Sequence, residues 1–167
     1  MVERRSSRER LALRGALLRL VPPLETIAED VLGIVSRIDL VTRDPDGAVT
    51  VVLVAQPGAD LARLAEGIAQ RAWLGLRLPD WNQLAPHLAL ATEQGVRLLL
   101  AAPRFDDRTR AAVEALGADQ VRLAELLPRG DLDVELRLLE APSEPTQPPP
   151  VAPSPRRDSG FRTGLRD

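Results

Sequence analysis

Apolar residues along the first half of the chain recur at two kinds of spacing, helical and strand-like. Residues 8–20 repeat leucine at helical intervals with arginines mostly between them, which predicts a basic amphipathic helix. Residues 23–32 show a similar spacing after paired prolines and predict a second helix. Residues 35–42 and 48–55 are predicted strands, and the turn sequence at 44–47 separates them. The second strand is almost wholly apolar and β-branched, so we expect burial on both faces.

The second half of the chain continues with longer elements. Residues 59–78 carry the longest helical pattern, and Pro79 is expected to lie beyond its end. A loop with a short helix is predicted over 81–90. The pattern then predicts a strand, a helix, a strand, and finally either an edge strand or a short helix, over residues 96–101, 106–116, 121–126 and 131–140.

The composition changes sharply at residue 141, which marks a predicted boundary. Residues 142–155 hold seven of the 15 prolines, a composition typical of polyproline or disordered segments. We therefore expect three parts: a basic amphipathic helix at 1–21, an α/β domain at 22–140, and a proline-rich tail at 141–167 with a short basic end. The order of elements predicts a small mixed central sheet flanked by helices.

The composition also excludes several kinds of chemistry. The 167 residues contain no cysteine and no lysine, and a single histidine, His87. Disulfides, thiolate metal sites, Schiff-base chemistry and lysine-containing phosphate loops are therefore excluded. The lack of cysteine fits a cytoplasmic protein. No apolar run reaches the roughly 18–20 residues of a membrane span, so no membrane contact is expected.

One constellation of residues carries a family resemblance. Asp39 lies in the predicted strand RIDLV, which is followed by a turn, an apolar strand and a long helix. The predicted helix before it carries Glu25 and Glu29. This order over residues 25–105 resembles the restriction-endonuclease-like PD-(D/E)xK superfamily. The pattern GxIDLL…DGxxVVIELK of its repair and recombination members is similar to residues 36–56 here.

The resemblance implies metal-assisted phosphodiester hydrolysis, in which carboxylates hold Mg²⁺ and a lysine positions the attacking water. Carried over by position, the strand aspartate is Asp39 and the helix glutamate is Glu25. The second carboxylate falls at Val54 and the lysine at Gln56. A valine cannot bind a metal, and a glutamine carries no charge. The resemblance therefore implies a degenerate member that needs no cofactor, with Mg²⁺ at Asp39 only if the chain is active.

Three functions stay open. The first is a catalytically degenerate nuclease-like domain that binds nucleic acid or a protein partner. The second is an interaction or scaffold module that recruits a partner through its proline-rich tail and can form oligomers. The third is a metal-dependent nuclease with ligands relocated onto the helix after the apolar strand, where Glu66, Gln70 and Arg71 lie.

Arginines supply the candidate contacts to nucleic acid or a partner, because their guanidinium forks suit phosphate oxygens. The first 20 residues have a net charge of +4, although the whole chain has −2, which weakens long-range attraction. Ordinary surface arginine in a lysine-free chain is the alternative, as are solvated positions for Asp39 and Glu25 and helix packing for residues 70–73. The candidate binding residues are Arg4, Arg5, Arg8, Arg71, Arg156 and Arg157.

Overall fold

Six strands form one sheet in the computed structural model, and their order across the sheet follows the chain. The structure describes residues 7–130 and 133–139. The strands are β1 (Glu25–Leu32), β2 (Arg37–Arg43), β3 (Val49–Val54), β4 (Val96–Ala102), β5 (Val121–Pro128) and β6 (Val134–Leu138). The helices are α1 (Ser7–Leu18), α2 (Asp60–Leu84) and α3 (Asp107–Leu116), with short 3-10 turns at Pro86–Leu88 and Thr92–Gln94.

Strand direction makes this a mixed sheet. β3, β4 and β5 run parallel to one another, whereas β1 and β2 at one side and β6 at the other are antiparallel to their neighbours. The predicted α/β class with a mixed central sheet is confirmed. Within the segment predicted as an edge strand or a short helix, Val134–Leu138 form the edge strand β6, and β3 is buried on both faces as predicted.

Helices cover both faces of the sheet, and each face has its own apolar cluster. On one face, α1 buries Leu13, Ala16 and Leu17 against side chains from β2, β3 and β4. On the other face, α2 and α3 pack on a larger cluster that includes Leu74 and Val113. The sheet thus lies between two helical layers, which fixes which side chains can meet at its edges.

The helix predicted at residues 23–32 is wrong, since β1 occupies this segment as an edge strand. A bulge between Thr26 and Ala28 interrupts its pairing with β2. Ile27, Ala28 and Val31 all pack against the cluster beneath α2, although a regular strand would alternate their faces. The irregularity produces an apolar spacing that resembles one side of a helix.

The predicted end of α2 before Pro79 is also wrong, because the helix continues to Leu84. Leu74 and Leu78 are fully buried in this part of α2, and Trp81 packs on the same cluster. Burial of these side chains outweighs the one backbone hydrogen bond that a proline removes.

The predicted turn at residues 44–47 is confirmed. The Asp44 carboxylate accepts hydrogen bonds from the N–H groups of Asp46 and Ala48, at 3.0 and 2.9 Å. Gly47 has φ +83°, and a Cβ there would lie 2.3 Å from the carbonyl oxygen of Ala89. The turn therefore requires glycine both for its backbone angle and for the close approach of the neighbouring loop.

Several predicted segments lie outside the described residues: the N-terminal six residues, the 141–167 tail and two residues of the β5–β6 connection. Among the residues that are described, no helix combines the length and apolarity that crossing a membrane requires.

Candidate functional site

The carboxylate of Asp39 lies where β2 begins and β3 ends. Its Oδ2 accepts one hydrogen bond from the backbone N–H of Val54 at 2.8 Å and another from Arg63 Nη2 at 3.0 Å. The paired register of β2 and β3 stops at Leu40 opposite Val52. The carboxylate therefore takes the role that a backbone carbonyl would have in binding the last N–H of β3.

Arg63, in the first turn of α2, joins several acceptors at this edge of the sheet. Its Nη1 donates to Glu66 and to Ser36 Oγ, and its Nη2 donates to the carbonyl of Arg37 as well as to Asp39. The Arg63 side chain is only 11% exposed. One guanidinium thus forms ion pairs with two carboxylates in a part-buried position.

Gln70, two turns further along α2, holds the tight turn between β1 and β2. Its Oε1 accepts from the N–H of Ile34 at 3.0 Å, and its Nε2 donates to the carbonyl of Ser36 at 2.6 Å. The side chain is fully buried, and a Cβ at Gly33 would lie 1.8 Å from its oxygen. Gln70 is therefore a packing residue that fixes the turn carrying Ser36.

A cavity of about 370 Å³ lies beside this network, on the α1 face of the sheet. Val54, Pro103 and Pro128 line it where the three parallel strands end, and Arg8 and Leu13 line it from α1. The carboxyl ends of parallel strands are where open α/β sheets place their ligands. Val54 links the two features, because its N–H contacts Asp39 and its side chain lines the cavity.

The structure does not bring Glu25 to Asp39. Glu25 is paired with Arg43 at the far end of β2, and Arg43 Nη2 donates to it at 2.9 Å. Four residues of strand separate Arg43 from Asp39, which is about 13 Å. Gln56 lies just beyond β3 and is exposed. Of the three residues considered as a catalytic set, only Asp39 belongs to the part-buried network around Arg63.

The two described candidate arginines lie on opposite layers of the molecule. Arg8 is exposed on α1, whereas Arg71 of α2 donates to the side-chain oxygen of Gln120 at 3.0 Å. They do not form one basic face. The other four candidates, at positions 4, 5, 156 and 157, lie outside the described residues.

The residues at Asp39 do not fit the magnesium ion that the resemblance implies. The carboxylate already binds a guanidinium, and the position expected to carry a second carboxylate is Val54, 6% exposed within the cluster under α1. Over residues 7–130 and 133–139, no three Asp, Glu, His or Cys side chains group closely enough to hold a metal ion. Glu66, considered as a relocated ligand, is engaged by the same Arg63.

Arg63 is the residue of this site that the sequence did not reveal. It is one of 22 basic residues, all arginine, and no motif distinguishes it. Its one signal is its place in the first turn of the helix after β3, where a side chain can reach back over the end of the strand.

Comparison with solved structures identifies the fold. The chain is similar to a repair endonuclease from Pyrococcus abyssi, with 18% identity and a TM-score of 0.53, over 77% of this chain and 50% of the other. It also matches a complex of EndoMS with double-stranded DNA, with 16% identity and a TM-score of 0.46, over the same shares. The matched region is thus half of the length of those proteins. No protein-family model matches the sequence, and neither does any curated protein.

Proposed function

We propose, from the restriction-endonuclease-like fold shared with the repair endonuclease, that this chain is a catalytically degenerate nuclease-like domain that binds nucleic acid. The observation that carries the proposal is the ion pair of Arg63 with Asp39 at 3.0 Å. In the resemblance, Asp39 occupies the position of the metal-binding aspartate. Here an internal cation compensates its charge.

The ion pair supports loss of hydrolysis for an electrostatic reason. A guanidinium keeps its charge at every accessible pH, so Asp39 has a counter-charge without a metal. A divalent cation at the same carboxylate would have to compete with Arg63, which Glu66 also holds in place. Val54 offers no oxygen ligand that could offset this cost. The side chains present favour a site that stabilises the fold over one that activates water.

Exposed arginines support nucleic acid as the ligand. Arg104 follows β4 and Arg129 follows β5, so both lie at the same edge of the sheet as Arg8 and the cavity. All three are exposed. Asp133 and Glu9 also line the cavity, and Arg19 pairs with Asp133 at 2.9 Å. Arginines placed in this way can contact phosphate oxygens independently of base sequence.

The test measures binding and cleavage in the same mixtures. Labelled single- and double-stranded DNA and RNA are titrated with the full chain over a salt series, with Mg²⁺ and with Mn²⁺, and end points are run on a denaturing gel. We expect binding that weakens steeply with salt, and intact probes. Cleavage that disappears in Asp39→Asn would contradict the loss of hydrolysis. Absence of binding at low salt would remove nucleic acid as the ligand.

A protein partner is the second candidate, and the turn between β1 and β2 favours it. Leu32, Ile34 and Val35 are 58–70% exposed there, while Gln70 holds the turn rigidly from beneath. Exposed apolar side chains on a fixed turn are typical of protein contacts. Sedimentation velocity should then detect self-association that Ile34→Glu abolishes. Leu76→Glu is the matched control, because Leu76 is 81% exposed on α2. A monomer at every concentration would contradict self-association.

A further inference from the structure

The cavity beside Val54 has the size of a small-ligand site. Its volume of about 370 Å³ lies near the lower end of the roughly 300–1,000 Å³ typical of such sites. That volume suits a nucleoside-sized group and is too small for a helix or strand of a partner. The first turns of α1 form one wall, and the ends of the parallel strands form the other.

The walls are mainly apolar. Leu13 and Val54 form the inner surface, and Pro103 and Pro128 stand at the ends of β4 and β5. Flat aliphatic surfaces such as proline rings can cover the face of a base where no aromatic side chain is available. Both tryptophans and Phe105 pack in the cluster on the opposite face of the sheet, so no aromatic ring of the described residues lines the cavity.

One basic side chain, Arg8, offers the cavity a contact for an anionic group, beside the two acidic residues that also line it. Arg8 lines the cavity, is exposed, and forms no ion pair with another described residue. Asp133 and Glu9 line it too, and Asp133 is held by Arg19. A basic side chain next to an apolar cavity is complementary to a planar apolar group that carries a phosphate.

We infer that the cavity receives one unpaired nucleotide, with its base between the apolar walls and its phosphate at Arg8. The inference rests on the proposed binding of nucleic acid and specifies where one unit of the strand is held. The same chemistry is offered by a nucleotide within a single strand and by a free mononucleotide. A duplex, whose bases are stacked and paired, does not offer it.

The experiment uses the full chain and three variants. Ala12→Phe fills the cavity from α1, because Ala12 is one of its lining residues. Arg8→Gln removes the proposed phosphate contact at an exposed position. Arg122→Gln makes the same charge change at an exposed position near the start of β5, at the opposite end of that strand from Pro128. Thermal melting checks that each variant is folded.

Fluorescence anisotropy with labelled single-stranded and duplex oligonucleotides measures the effect, and unlabelled adenosine monophosphate is the competitor. We expect Ala12→Phe and Arg8→Gln each to raise the Kd for the single strand about tenfold. Arg8→Gln should also reduce the salt slope by about one unit, whereas Arg122→Gln should leave the Kd within about twofold. Competition by the monophosphate would identify a site that also accepts free nucleotide, and no competition would identify a strand-specific one.

The outcomes separate this inference from the proposed function. Single-strand binding that survives both Ala12→Phe and Arg8→Gln in folded protein would overturn the cavity assignment and leave nucleic-acid binding intact. Duplex bound as tightly as single strand would also overturn it. No binding of any oligonucleotide by the unmodified chain would overturn both proposals together.

Discussion

Arg63 binds Asp39 at 3.0 Å and also holds Glu66, so a single guanidinium from α2 joins two carboxylates at the edge of the sheet. The sequence resemblance implies that a carboxylate at the Asp39 position would hold Mg²⁺. Here the ion pair ties the first turn of α2 to the start of β2 and to the last N–H of β3. The arrangement predicts that these residues matter for stability more than for catalysis.

Arg63→Met should lower the free energy of unfolding by about 2 kcal/mol. The substitution leaves Asp39 and Glu66 part-buried without their counter-charge, at side chains that are 20% and 38% exposed. Urea denaturation monitored by circular dichroism measures the change.

The same unfolding measurement on Asp39→Asn, and on the double variant that combines Arg63→Met with Asp39→Asn, tests whether the two residues act together. The double variant should lose less stability than the sum of the two single variants, because the second substitution removes a carboxylate that the first left unpaired. Additive losses would show that Asp39 and Arg63 stabilise the fold independently.

Gly33→Ala should destabilise the protein by about 1–3 kcal/mol, since its new Cβ would lie 1.8 Å from the buried Gln70 oxygen. Gln70→Ala removes that oxygen together with its hydrogen bonds to Ile34 and Ser36. Gly33→Ala should therefore lower the free energy of unfolding much less in the Gln70→Ala background than in the original chain. Equal losses of stability in both backgrounds, measured by thermal unfolding, would contradict a clash between the new Cβ at position 33 and the Gln70 side chain.

Asp60 should stabilise the fold in a pH-dependent way. Burial alone raises the pKa of its carboxyl, but hydrogen bonds, including one from the N–H of Asp106 at 2.8 Å, outweigh burial and hold the pKa below its usual 3.8. A depressed pKa means that the ionised form contributes stability above about pH 4, and that this contribution is lost as the pH falls through the lowered value.

Asp60→Asn tests this dependence, because the amide can still accept the Asp106 hydrogen bond without the charge. The stability gap between the original chain and the variant should be largest near neutral pH and shrink in acid. Asp46→Asn, at an exposed position, is the matched control. A gap that stays constant from neutral pH to well below pH 4, in urea titrations at each pH, would rule out the charge as its source.

Pro79→Ala should stabilise the protein by about 1–3 kcal/mol. Pro79 is exposed inside α2 and cannot donate the backbone hydrogen bond that its position in the helix provides for. Scanning calorimetry should record a higher Tm. A lower Tm would mean that the proline bends the helix in a way that the packing of Leu78 and Trp81 requires.

Strong local patterns made most of the fold predictable. A few adjacent residues determine the structure of two elements: the apolar β-branched run that forms β3, and the turn at Asp44–Gly47. β1 was mispredicted because its bulge near Ile27 depends on pairing with β2, which no local spacing records. The length of α2 depends on tertiary burial of Leu78, which overrides the local preference of Pro79 to end a helix.

The site was predictable only in part, for a similar reason. Asp39 was identifiable because it lies in a short recognisable strand pattern. Arg63 was not, because its role comes from the distance between two elements that are 24 residues apart in the chain. Val54 and Gln56 lack the carboxylate and the charge that the resemblance implies, but the pairing of Asp39 with an arginine of α2 became visible only in three dimensions.

The backbone N–H of Val54, at the end of β3, donates to the Asp39 carboxylate and not to a backbone carbonyl of a neighbouring strand. The exchange of this amide hydrogen with solvent depends on how often the ion pair opens, whereas the amides within the β3–β4 ladder exchange only when the sheet itself opens. The chemical shift of the Val54 amide should likewise follow the position of the carboxylate. A single backbone resonance can therefore report on the candidate site in solution, without a ligand or an assay.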